Sequence, residues 1–179
     1  MKDFLQGFDL QMFAEAFNLT GEAARKMLVT FVNVGTTSLP VWEAQGYKVE
    51  DSAIDFNPDT TTITDILGDT YTDVNKFEES QTLEPSTLRM GAGLAENLHQ
   101  IWRDQDLEKF SQFEVALVYG YLGTTGAYEA DIWKTCTIYP NSIGGSSRVD
   151  FPFTINLGGE KVKAISTGLR TGATITPAP

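Results

Sequence analysis

The sequence predicts a mainly β chain: a β-sandwich of antiparallel strands flanked by one α-helix at about 93–109, with a long extended loop or hairpin at about 65–85. Three observations carry this. Several segments alternate apolar and polar residues with period two, the mark of half-buried strands. A single segment has an apolar stripe at helical spacing. Between the two kinds lies a stretch too polar for a core, and structureless connections beyond about 12–15 residues are uncommon unless functional or disordered.

Taken in order, residues 1–24 place Phe4, Phe8, Phe13 and Phe17 at spacings that suit a short amphipathic helix or an arm laid on another surface. Residues 1–33 are expected to form that arm or helix plus a first strand, the apolar β-branched run MLVTFVNV; 34–167 the sandwich domain; 168–179 a mobile Thr/Gly-rich tail ending Pro-Ala-Pro. After a break at 35–40, Tyr47, Val49, Ile54 and Phe56 read as strand, Asn57-Pro58-Asp59 as a turn, and TTTITDIL at 60–67 as a β-branched segment. The acidic stretch 68–85 alternates weakly through Tyr71, Val74 and Phe77. In the helix, Leu94, Leu98, Ile101 and Trp102 fall at i, i+4, i+7 and i+8 and form one core-facing stripe. EVALVYGYL at 114–122 is apolar on both parities, as a central strand is. Residues 128–139 alternate again, and PNSIGGSS is loop.

The segment VDFPFTINLGGEKV closes the pattern. Val149, Phe151, Phe153, Ile155 and Leu157 share a parity, and Gly158-Gly159 is expected to turn the chain into a return strand at 160–166. Pro152 interrupts it, and proline belongs at sheet edges, strand starts or bulges. Two readings are open: an edge at Phe151, Pro152 and Phe153 that a neighbouring subunit completes, or a bulge inside a monomeric sandwich.

Composition limits the function. A chain of 179 residues with 41% hydrophobic and 11% aromatic residues can bury a core without metal or disulfide. Cys136 is the single cysteine, so no intrachain disulfide is possible. No run approaches 18 apolar residues, and the N-terminus has no basic region followed by an apolar core, so the expectation is a soluble protein of a cytoplasm-like compartment. The net charge of −11 lies wholly in 43–108, where 15 acidic residues face 4 basic ones. Such a surface disfavours nucleic acid and acidic membranes, and it also serves as a solubilising face.

No active site assembles from these residues, so neither catalysis nor a cofactor nor a metal is expected. His99 is the single histidine and sits in the helix, Cys136 lies in a strand, and no G-x-S-x-G elbow exists. Glu78-Glu79 lacks the surroundings of a glycosidase pair. Asp69, Asp73 and Asn75 lack the glycine and final glutamate of a Ca²⁺ loop. Gly91-Ala92-Gly93 is too little of a dinucleotide fingerprint.

VWEAQGYKVEDSAIDFNPDTTTITDILGDT, KFEESQTLEPSTLRMGAGLAENLHQIWRD and SSRVDFPFTINLGGEKVKA resemble, in order and spacing, the major tail (tail tube) proteins of long-tailed bacteriophages infecting Firmicutes. FDLQMFA at 8–14 resembles a start common in virion proteins of such phages. The resemblance covers roughly residues 34–165. It implies a β-sandwich with a flanking helix, six copies in a ring, and rings stacked into a tube. The implied partners are the tape measure protein, a tail terminator and tail-tip or baseplate proteins, and DNA passes through the lumen without specific binding. Under this resemblance the 65–85 loop makes the ring-to-ring contact through Tyr71, Val74, Asn75, Lys76 and Phe77, and an acidic inner wall lets DNA slide. A tail terminator, a head–tail joining ring or a contractile-tail inner tube is the alternative; a carbohydrate-binding or hydrolytic β-sandwich is a third class. The residues ahead of the first family-like strand and the ending ISTGLRTGATITPAP depart from the family pattern.

Overall fold

The computed structural model describes residues 23–47, 49, 52–84, 86–88, 91 and 93–178. The expected N-terminal arm, with Phe4, Phe8, Phe13 and Phe17, lies outside them. Over the described residues the chain is mainly β, antiparallel in every pairing, with one α-helix. In order, the strands are β1 (Leu28–Asn33), β2 (Trp42–Ala44), β3 (Ile54–Asp55), β4 (Pro58–Thr64), β5 (Thr70–Phe77) and β6 (Ser80–Leu83). Helix α1 (Gly93–Asp104) and a 3-10 turn (Leu107–Ser111) follow, then β7 (Phe113–Thr124), β8 (Ala127–Pro140), β9 (Phe153–Asn156), β10 (Lys161–Ser166) and β11 (Ile175–Pro177).

The chain divides into two compact units. The first takes the described residues up to Gln45 with Glu114–Trp133 and those from Glu160 on. Its strands run β2-β1-β7-β8, with β10 and β11 on the far side of β8. Phe31, Trp42, Ala116, Val118, Tyr128, Ala130, Ile132, Ala164 and Ile175 form its core, one residue in two from each strand. Val32 and Val115, on the other parity, are also buried. That is the two-sided burial expected of the apolar run at 114–122, and β7 indeed lies between β1 and β8.

On the other face of that sheet sits the buried carboxylate of Asp131. It accepts a hydrogen bond from the Tyr119 hydroxyl at 2.9 Å and pairs with Lys163 at 2.9 Å and Lys161 at 3.2 Å. The Lys161 ammonium also lies 4.5 Å from the centre of the Trp133 ring. Burial works to raise the Asp131 pKa, but the hydrogen bonds from Lys163, Tyr119 and Lys161 outweigh it and hold the group below its usual value.

Of the segment expected as a mobile tail at 168–179, the described residues 168–178 are held in place. Ile175 is buried in the core, and β11 pairs with β10. A Thr/Gly-rich composition conceals this, because one apolar anchor and three ladder residues suffice to hold a short strand in place.

The second unit comprises Gly46–Phe113 and Lys134–Gly159. Here β8 is followed by β9, β6 and β3, and β4 pairs only with β5. Phe151, Phe153 and Ile155 are buried, as their shared parity predicts. Two expectations about this segment fail. First, β9 is no edge: β8 flanks it on one side and β6 on the other. Pro152 stands just before the strand, where its missing N–H costs no ladder bond, and its carbonyl accepts from the Asn141 amide at 2.8 Å. Secondly, Gly158-Gly159 does not turn the chain back. β9 pairs Asn156 with Thr137, and β10 pairs Lys161 with Trp133, so both run along the same partner with the register moved by one residue. The glycines form an irregularity in a long strand pair, close against Thr135, whose amide donates to the Gly158 carbonyl at 3.3 Å.

Helix α1 buries Leu94 and Leu98. Ile101 is half-buried, and Trp102 is exposed, tilted against His99 at a ring distance of 5.8 Å. His99 meets the Phe151 ring edge-on at 5.9 Å, a packing role for the single histidine. The helix stops short of the expected 109. Gln105 adopts φ 57°, its amide donates to the Trp102 carbonyl at 3.3 Å, and the Asp106 amide donates to Ile101 at 3.2 Å. This is the Schellman arrangement, built without the glycine that announces it in a sequence.

Candidate interaction site: a two-faced hairpin

The segment expected to be a long loop or hairpin is a regular one, and it starts earlier than expected. β4 contributes seven residues and β5 eight, every one of them exposed. Its base is fixed by Asn57, at φ 40°, whose side-chain amide donates to the Glu78 carbonyl at 2.9 Å and the Ser80 hydroxyl at 3.0 Å. Phe56 and Phe77 meet edge to face there, 6.1 Å between centroids.

The register sorts the side chains. Pro58 faces Phe77 and Asp59 faces Lys76; a one-residue shift follows, after which Thr60 faces Val74, Thr61 Asp73, Thr62 Thr72, Ile63 Tyr71 and Thr64 Thr70. Alternate pairs share a face. One face therefore holds Pro58, Phe77, Val74 and the threonines 60, 62, 64, 70 and 72, with no charge. The opposite face holds Asp59, Lys76, Asn75, Thr61, Asp73, Ile63 and Tyr71. Side-chain hydrogen bonds agree: Thr62 and Thr72 hydroxyls are 3.2 Å apart and those of Thr64 and Thr70 3.3 Å, while Asn75 Nδ2 donates to Thr61 Oγ1 at 2.8 Å.

The tip is held firmly. Asp65 Oδ1 accepts from the amides of Leu67 at 2.8 Å and Asp69 at 2.9 Å. The Asp65 amide donates to the Asp69 carbonyl at 2.9 Å, and Gly68 supplies the φ of 90° that closes the turn. Ile66, 102% exposed, and Leu67, 83% exposed, stand at this apex.

Of the residues expected to make contacts, Tyr71, Val74, Asn75, Lys76 and Phe77 all lie on β5, but not on one surface: Val74 and Phe77 are on the uncharged face, Tyr71, Asn75 and Lys76 on the other. Ile66, Leu67 and the threonines were missed, although T-x-T-x-T followed by D-x-x-G-D is a readable signal for a two-sided hairpin with a capped turn. Phe151 and Phe153 are core residues and offer no surface.

Glu78 is exposed and paired with Lys76 at 2.6 Å; that hydrogen bond keeps its pKa below the ordinary value, opposite to what a general acid needs. Among the described residues no group of three or more His, Cys, Asp or Glu side chains is placed to hold a metal ion. Nor is any helix among them long and apolar enough to cross a membrane.

No family model matches the chain, and no curated protein matches it. Among solved structures, the chain is similar to the anti-feeding prophage cap, the tube terminating cap, determined by cryo-EM. The identity is 12%, the match covers 89% of this chain and 94% of that one, and the TM-score is 0.46.

Proposed function

We propose that the chain is a non-enzymatic structural component of a phage-tail-like particle, built from rings of its own copies. The observation that carries this is the β4–β5 hairpin. A two-stranded ribbon is marginal in water by itself, yet this one is regular, capped and exposed on both faces, with Phe56, Ile63, Ile66, Leu67, Tyr71, Val74 and Phe77 all open to solvent. Such an element suits a partner surface. The resemblance of the sequence to tail tube proteins names the setting.

Two forms of this reading differ in outcome. In one, hexameric rings stack into a tube around a tape measure protein and later pass DNA; the excess acid of 43–108 suits a wall that must not bind phosphate. In the other, a ring terminates the tube or joins it to the head. The cap named above falls on the second form, but a TM-score of 0.46 carries no argument between them. Negative-stain microscopy at rising concentration, with sedimentation velocity on the same samples, separates them. Stacked rings or hollow tubes mean the first form, and single closed rings that never stack mean the second. A chain that stays monomeric even with a tail-tip complex added refutes both.

A further inference from the structure

We draw no further inference here: the strongest candidate, the shallow concavity of about 490 Å³ lined by Glu84, Ser142, Ile143 and Asp150 beside the start of β9, is an acidic cluster in which Asp150 is already paired with Arg148 at 3.0 Å and none of the lining side chains is buried, so nothing in the structure says what it would take.

Discussion

Replacing Asp131 by Asn tests the electrostatics of the first unit and has a signature in pH. The wild-type carboxylate is 3% exposed and bridges the Tyr119 hydroxyl and two ammonium groups. The amide has nearly the same volume and can still accept from Tyr119, so no cavity forms. What is lost is the charge. Each lysine is well exposed and regains water, so each pair is worth no more than about 0.2–1 kcal/mol. The hydroxyl bond weakens from charge-assisted to neutral, a further loss of roughly 1 kcal/mol. The expected destabilisation is about 2 kcal/mol at pH 7, read from urea unfolding at concentrations where the protein is monomeric. The sign of the pH dependence follows from the lowered pKa. A carboxylate whose folded pKa lies below its unfolded value, about 3.9, contributes fully above the unfolded value and loses that contribution as pH falls through the folded one. The gap between wild type and Asp131→Asn should therefore be full at pH 6–7 and close below about pH 4. A gap that is constant with pH, widens in acid, or is absent at neutral pH refutes the reasoning.

Gly159→Val should lower stability by roughly 2–3 kcal/mol, because φ is 75° and a Cβ would lie 2.8 Å from Thr135 Cβ and 2.9 Å from its amide nitrogen; a thermal melt reads it. Leu98→Ala empties a fully buried site on α1 and should cost about 3 kcal/mol. Trp102→Ala, at a position 43% exposed, should cost under about 1 kcal/mol in the same urea titration. Added salt should promote assembly, since it screens repulsion between acidic copies; sedimentation velocity at 50 and about 500 mM salt, at fixed protein concentration, checks the direction.

By itself the sequence determined what depends on neighbours along the chain. Period-two alternation located β8 and β9, because an alternating segment can bury only one face; an apolar β-branched run located β1, and two-sided apolarity marked β7 as central. The helix began where its stripe began, at Gly93. A polar yet faintly alternating stretch marked the hairpin.

Tertiary structure decided what depends on which strand finds which. Phe151-Pro152-Phe153 carries an edge signal, yet β6 and β8 flank β9, and only pairing between segments far apart in sequence could place it inside. A Gly-Gly pair permits both a turn and an irregularity in a straight strand; the contact with Thr135 selected the latter. Helix termination at Gln105 rested on backbone hydrogen bonds rather than on a helix-breaking residue. Ile175 became a core residue because a complementary site in another part of the sheet received it. For the candidate site, composition supplied the exposed apolar residues, but their division between a charged and an uncharged face came from the one-residue shift next to Asn75, a register that no local pattern encodes.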